Sequence, residues 1–590
     1  MGFHVGLGIG LTASGSGGSG VPAWVPDGGV LAFEFDNGLG YNSRNLATTT
    51  PDSILTYTAP SPKLVYGSDG VLRYAPHNLL PYSNDISNAA WLTTNVTKSA
   101  TGFRETTANA IHIVEQIISV SNGGTYQIEF EPVGRDVFTF SLGTASGTYA
   151  ATYTVSTNTF SYVGTAITST TSEVLGDGYI RITLTSNAGL NRFQVRGSAA
   201  GMASYVGDPA KGANLRKAQV NLGSSALTYI PTTSAAVYSL PIDHNPTTFE
   251  PLGVLIEEQR TNLLLRSQEF NNTGSWSVPA GAAIAADNIT APDGTLTADK
   301  LTRAATSGVA LGYGNMGNGL ALTAGVHTLS YFAKADTQTS FTVALVTGGK
   351  ALGSEVVFNL SAGTAGAITN YGATTGSVAA IQELDDGWYR CSLTVTVTTA
   401  TWFMQAEMPS AGAYWLWGAQ LEAGAFPTSY IPTAASQVTR LADQVSILTS
   451  AFAYNAAAGT MVETRIYNSV SPSYLYLTNI SAGGGVSNII SFISNAGNAS
   501  FRVRSSASDQ VDESYTALTL SGEKTLAAAV KENDFAFIAQ GGVLKSDPTG
   551  LMPIGVVGLN FSAFGISSHI KRFTYFPTRR TNADLQVLTT

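Results

Sequence analysis

Charge is what this sequence has least of. Asp, Glu, Lys and Arg make up 12% of 590 residues, about half the usual share for a soluble protein. Lys and Arg number 30 against 39 Asp and Glu, a net charge of −9. No basic cluster is present to release counterions from phosphates, which argues against a nucleic-acid partner. The same balance argues against charge-driven binding to an anionic membrane. Cysteine is nearly absent. Cys391 is the sole one, so no intrachain disulfide can form, stability must come from packed cores, and an oxidising compartment is neither required nor excluded. No apolar run reaches the length of a membrane span, so membrane insertion is not expected. The start, MGFHVGLGIGLTASGSGGSG, lacks the basic n-region and long apolar core of a secretory signal. The six histidines (His4, His77, His112, His244, His327, His569) are scattered, with no metal-ligand spacing and no Cys/His cluster. No Gly-x-Ser-x-Gly elbow precedes a helix, and GLGIGLTASG lacks the third glycine of a dinucleotide fingerprint and the lysine of a phosphate loop. No cofactor is expected. The sequence leaves open a structural Ca²⁺ held by backbone carbonyls and scattered aspartates, and names no metal ligand.

What fills the gap is Gly, Ser, Thr, Asn and Ala, with an aromatic share of 10% that is too high for disorder. The chain is too long for one core, which implies three or four domains. Its organisation shows in a repeat. GVLRYAPHNLLPYSNDISNAAW (Gly70 to Trp91) and GVLIEEQRTNLLLRSQEFNNTGSW (Gly253 to Trp276) share Gly-Val-Leu, Asn-Leu-Leu, a serine, an Asn-rich turn and Trp. DGYIRITLT (from Asp177) answers DGWYRCSLT (from Asp386), and KAQVNLGSSALTYIPT answers GAQLEAGAFPTSYIPT. Markers that agree in order at start, middle and end indicate two homologous domains. Inside each copy, short alternating Thr/Tyr/Phe/Val segments are punctuated by Gly, Asn and Asp, the pattern of an antiparallel sandwich or jelly roll. After about Ala434 the pattern changes. GTMVETRIYN and TLAAAVKENDFAFIAQGGVLKSD read as a meander in a third sandwich of another type. Thr581 and Asp584 read as the capping box of one short helix. The expected division is an N-terminal segment with a Gly/Ser tether (1–30), a small β region (31–69), sandwich 1 (70–233), a packed linker (234–252), sandwich 2 (253–433) and a third sandwich (434–590).

GVLIEEQRTNLLLRSQEF, APDGTLTADKL and YWLWGAQLEAGAFPTSYIPT resemble the repeated carbohydrate-binding-type jelly rolls of tailed-bacteriophage fibre and virion proteins. The first copy resembles a more divergent member. AAAVKENDFAFIAQGGVLKSD with HIKRFTYFPTRRTNADLQVLT is similar to concanavalin A-like (laminin-G-like) domains. The resemblance covers most of residues 55–590. It implies an all-β fold of tandem jelly-roll β-sandwiches plus a concanavalin A-like sandwich. It also implies a virion-surface appendage that recognises host-cell glycan, docks on other virion proteins through residues 1–30, and forms a homo-oligomer, a trimer by family analogy. The alternatives are a purely structural head-decoration or tail protein that binds no sugar, and a polysaccharide-degrading tailspike.

Candidate chemistry is sparse. Glu257 and Glu258 are adjacent, so on a strand they face opposite ways and cannot flank one bond. The matching positions of the first copy carry no acid, and an edge or linker role with Arg260 as partner is expected. Asp385–Asp386 faces Asp177–Gly178 and reads as a turn. Trp91 and Trp276 match between copies, as do Tyr179 and Trp388, and read as core or interface; Trp415 and Trp417 also read as core. The informative pair is RFQVRGS against TWFMQAE. Phe193, Val195, Trp402 and Met404 should face the core. The opposite row, Arg192, Gln194 and Arg196 in one copy and Phe403, Gln405 and Glu407 in the other, then lies on the outer sheet face. Aromatic faces for sugar rings and polar side chains for hydroxyls make this row the candidate carbohydrate site; its alternative is a solvated or subunit-packing face. No catalytic residue is expected.

Overall fold

Threonine, valine and aromatic residues alternating between turn formers dictate short antiparallel strands, and strands are nearly all that forms. The computed structural model describes residues 25–29, 31–42, 47–49, 51, 54–58, 61–120, 123–143, 147–186, 189–198, 204–304, 308–313, 319–470, 475–482, 488–495, 497–561 and 566–590. Residues 1–24, which carry most of the expected anchoring segment, lie outside that set. The chain divides into two compact units. One comprises residues 59–250 and 259–441; the other comprises 1–58, 251–258 and 442–590.

The first unit holds two sandwiches built to one plan. In the first, one sheet runs in the order Ser169–Val174, Ile180–Ser186, Gly124–Val133, Gly212–Asn221, Gly102–Glu105, Val96–Ser99. The other runs Thr159–Val163, Ala150–Thr154, Val137–Ser141, Leu190–Ser198, His112–Val120, Leu92–Thr94. In the second sandwich the matching orders are Val378–Glu383, Trp388–Val397, Gly325–Ala335, Gly412–Ala423, Leu296–Arg303, Ala282–Thr290, and Thr364–Tyr371, Gly353–Asn359, Ser340–Thr347, Ala400–Met408, Gly308–Tyr313, Trp276–Ser277. Each pair of sheets closes on its own apolar core, one around Phe130, Phe140, Phe193 and Val195, the other around Tyr331, Phe341, Trp402 and Met404.

The repeat markers form a clasp. Asn78 Nδ2 donates to the carbonyls of Ala218 (3.0 Å) and Ile230 (2.9 Å), while its Oδ1 accepts from the Leu80 (3.0 Å) and Val220 (3.2 Å) amides. Asn262 makes the same four bonds, to Ala419 (3.0 Å), Ile431 (2.9 Å), Leu264 (3.1 Å) and Leu421 (3.1 Å). Ser83 and Thr232 interlock, the Thr232 amide donating to Ser83 Oγ at 2.9 Å, and Ser267 and Thr433 repeat that contact at 2.9 Å. Gln219 and Gln420 accept the Ile230 and Ile431 amides at 2.9 and 2.7 Å. Trp91 and Trp276 are buried, each donating Nε1–H to a carbonyl, of Tyr82 or Arg266, at 2.9 Å. Asn-Leu-Leu and Tyr-Ile-Pro-Thr therefore tie the two ends of each copy together; buried backbone groups beyond the ladder need such partners.

Trp415 and Trp417 do not enter the sandwich core. They sit on the opposite face of their sheet, where Trp417 packs with Phe332, Trp388 and Tyr430 beneath the hairpin Leu64–Tyr66/Leu72–Tyr74. Alternation of the strand places them there, and the hairpin, distant in sequence, covers them.

The second unit is the third sandwich, and it recruits strands from afar. Leu31–Glu34 pairs with Ile566–Phe576, which also pairs with Pro251–Glu257 and Ala458–Val470. The lead-in residues and the Gly-Val-Leu opening of the second copy thus belong to this sheet. Local periodicity reports that Val254, Leu255 and Ile256 are buried, not which sheet buries them. Gly522–Lys531, Phe535–Ala539 and Lys545–Asp547 form the expected meander. Asn582–Leu588 is the short helix, with a Thr581/Asp584 capping box.

Candidate functional site

The site grows from one strand, Ala400–Met408. Trp402, Met404 and Ala406 point into the core at 1% exposure or less, so pleating turns Phe403, Gln405 and Glu407 to the outer face. Gln405 lies between Gly312 and Ala344 on the neighbouring strands. Glycine and alanine leave space above it. A cavity of about 250 Å³ opens there, lined by Gln405, Phe403, Lys350, Val309, Ser277 and Gly312 among others. Gln405 Oε1 is buried and accepts no hydrogen bond among the described residues.

The turn Gly348–Lys350 carries a lysine over the rim. Its ammonium contacts Glu355 and lies 3.0 Å from Glu407 Oε1, with the Tyr371 ring centroid at 5.7 Å. Burial alone would lower the Lys350 ammonium, but the contacts with Glu355 and Glu407 outweigh it and raise it above its ordinary range. The two carboxylates are thus tied to one cation. The arrangement offers an unmet acceptor at the floor, an aromatic edge, and a charged rim.

In the first sandwich the matching row is Arg192, Gln194 and Arg196. The structure brings two of them together: Arg192 Nη1 lies 3.2 Å from Glu115 Oε2, and Gln194 Nε2 donates to the same oxygen at 2.6 Å. Gln194 and Arg196 are buried, each 3% exposed, so this row is not the open face that alternation alone suggests. Lys350 and Glu355 were invisible to sequence reasoning because a turn brings them over a strand about 55 residues away. The absence of any charge at Gly312 and Ala344 was the legible signal, and it reads as space only once the register is known.

The other sequence candidates fall elsewhere. Glu257 is 1% exposed in the third sandwich, its amide donating to Asp443 Oδ2 at 2.7 Å. Arg260 has Glu422 at 3.5 Å. Asp385–Gly387 is a tight turn, with Asp386 2.8 Å from Lys334 Nζ. Tyr179 is half-buried under Arg216, 3.7 Å from its ring centroid, whereas Trp388 is 2% exposed. Among the described residues no group of three or more His, Cys, Asp or Glu side chains is placed to hold a metal ion, and no helix is long and apolar enough to cross a membrane.

No family model matches the chain, and no curated protein matches it. Solved structures do. A carbohydrate-binding module, CBM40, of the Ruminococcus gnavus IT-sialidase, bound to α2,3 sialyllactose, is 14% identical with a TM-score of 0.21, over 23% of this chain and 83% of that one. The same module bound to α2,6 sialyllactose gives 15%, 0.19, 23% and 85%. The mouse laminin α1 chain, domains LG4-5, gives 9% and 0.12 over 51% of this chain and 83% of that one. At TM-scores of this size the likeness assigns neither a family nor a ligand to this chain, whose all-β sandwich architecture stands on its own strand order.

Proposed function

We propose that this chain is a glycan-recognition protein of a virion surface, working by contact and without bond-breaking. The observation that carries the reading is Gln405 Oε1, buried and unpaired at the floor of a cavity edged by Phe403 and Lys350. A buried acceptor left unmet costs about 1–3 kcal/mol, and a sugar hydroxyl donating to it recovers that cost. The C–H face of the ring stacks on Phe403, and further hydroxyls reach Lys350 and Glu407. Such a site is weak by itself. Several copies on one particle, a homotrimer in the phage-fibre reading, raise its effect through effective concentration. Residues 1–30 dock the chain on other virion proteins.

The test is a bacterial polysaccharide array probed with the full chain and with Gln405→Ala. Binding by the parent that falls at least tenfold in the variant is expected. Silence of the parent across the array would favour a purely structural virion role. Shortened polysaccharide chains after incubation, abolished by Glu407→Gln, would instead make Glu355 and Glu407 an enzyme's acids and overturn the non-enzymatic reading. Antibody against residues 434–590 decorating intact particles is the expected result for the virion assignment, and failure to label any particle would remove it.

A further inference from the structure

The first sandwich has its own unmet groups on the face that matches the cavity. Arg196 occupies the position of Glu407: Arg196 lies opposite Thr139, as Glu407 lies opposite Thr342. It is 3% exposed, and its Nε has no hydrogen-bond partner among the described residues. Among the described residues no carboxylate pairs with it. Glu115, the acid on this face nearest in register, is already engaged by Arg192 and Gln194. Two residues along the same strand, and so on the same face, Ser198 is also 3% exposed, and its Oγ has no partner among the described residues. Thr139 Oγ1, across the ladder from Arg196, shares a 3.0 Å hydrogen bond with Thr152 Oγ1.

A guanidinium taken out of water without a counter-ion is among the most costly arrangements a fold can hold. Burial pushes the Arg196 guanidinium below its ordinary range, with no opposing carboxylate to hold it up. The Ser198 hydroxyl, two residues along the same strand face and also unmet, adds a neutral donor on that face. One cation and one hydroxyl on one sheet face form the complement of a carboxylate, whose two oxygens take a bidentate guanidinium and a further donor.

We propose that the outer face of the first sandwich is an anion site built on Arg196 and Ser198, and that its ligand is the carboxylate of an acidic sugar. The anion part rests on the two unmet groups alone. The sugar part rests on the glycan reading of the matching face in the second sandwich. The two copies then divide the work. One takes a neutral ring on Gln405, and the other takes an acidic ring on Arg196.

The experiment titrates the full chain with glucuronate, glucose and acetate at constant ionic strength, read by calorimetry and by thermal shift. Glucuronate is expected to bind the parent, with acetate at least tenfold weaker and glucose leaving this site empty. Arg196→Gln is expected to weaken glucuronate at least tenfold, Arg196→Lys to retain part of the binding, and Ser198→Ala to weaken it about threefold. Gln405→Ala is expected to leave glucuronate binding unchanged, which separates this site from the cavity of the second sandwich. Without ligand, Arg196→Gln is expected to melt no lower than the parent, because it removes an uncompensated charge. Equal glucuronate binding by the parent and Arg196→Gln, or none by the parent, overturns the site. Acetate binding as tightly as glucuronate overturns the sugar and leaves a bare carboxylate site. Loss of glucuronate binding in Gln405→Ala places the acid on the cavity instead.

Discussion

The two sandwiches keep their seams and change their faces. Asn78 and Asn262 hold the same four backbone groups, and Ser83–Thr232 repeats as Ser267–Thr433. Outside the core the copies part company. Glu129, flanked by Arg181 and Arg216 in the first sandwich, is replaced by Phe332 between Arg390 and Trp417 in the second. What is retained closes the fold. What is changed decides what each copy meets. The sharpest way to break this division is to remove the seam. Asn78→Ala and Asn262→Ala each leave buried amides and carbonyls unmet, at about 1–3 kcal/mol per group. Both are expected to cost about 4 kcal/mol or more in urea unfolding, and by similar amounts. A cost in one copy and none in the other would mean the shared motif does different work in each.

Next in size is the divergent face. Trp417 is fully buried beneath the hairpin and donates Nε1–H to Thr297 Oγ1 at 3.1 Å. Trp417→Ala is expected to cost about 3–4 kcal/mol. Its counterpart Arg216 is about one-third exposed, paired with Glu129 at 2.7 Å and Asp177 at 2.6 Å. Glu129 keeps Arg181 and Lys217 when Arg216 is removed, so Arg216→Ala is expected to cost about 1 kcal/mol. Gly418 adds a third reading of the same face. A Cβ there would lie 2.7 Å from Phe332 Cδ2 at φ +60°, and Gly418→Ala is expected to cost about 2 kcal/mol. Equal losses at Trp417 and Arg216 would mean the hairpin does not seal the second sandwich.

Much of this was legible in the residues. Period-2 alternation and the ordered markers gave the sandwiches and their duplication, because strand pleating and turn chemistry are local. Phe403, Gln405 and Glu407 were placed on the outer face by the same alternation. The rest was set by long-range pairing. Val254–Ile256 read as the start of the second copy but form a strand of the third sandwich. Trp417 read as core but is buried by residues more than 300 positions earlier. Lys350 reaches Glu407 over a turn, which no spacing rule connects.

Acidity sharpens the comparison at one buried group in each copy. His77 Nδ1–H donates to the Ala75 carbonyl at 2.8 Å, and Nε2 accepts the Leu222 amide at 2.9 Å; burial pushes it down to about 4. Asp299 accepts the Phe270 and Asp287 amides at 3.0 Å, yet burial pushes its carboxyl up to about 6. The signs oppose. For His77 the unfolded chain binds the extra proton between about pH 4 and 6.5, so its contribution is lost as pH falls. For Asp299 the folded chain binds it between about pH 4 and 6, so stability falls as pH rises. Each contribution is on the order of 2–3 kcal/mol, and the two offset. Relative to the parent, Asp299→Asn is expected to gain stability as pH rises from 4 to 6, and His77→Gln as pH falls across the same window. Urea midpoints at four pH values check both slopes.

The smallest expected effect tests whether a retained backbone shape survives a changed residue. Lys217 stands where the second copy has Gly418, and both adopt positive φ, 49° and 60°. Each lies inside its strand, opposite a register shift on the neighbouring strand, between Gln127 and Glu129 in one copy and Ser330 and Phe332 in the other. A lysine in the left-handed region costs about 1 kcal/mol, which Lys217→Gly removes. The substitution also deletes a half-exposed contact with Glu129, 3.3 Å away, worth below about 1 kcal/mol, and adds unfolded-chain entropy of about 0.5–1 kcal/mol. The terms nearly cancel, so Lys217→Gly is expected to shift stability by less than about 1 kcal/mol in urea unfolding. A loss of 2 kcal/mol or more would mean that the ion cluster on Glu129, rather than the inherited bulge, fixes the backbone of the first copy.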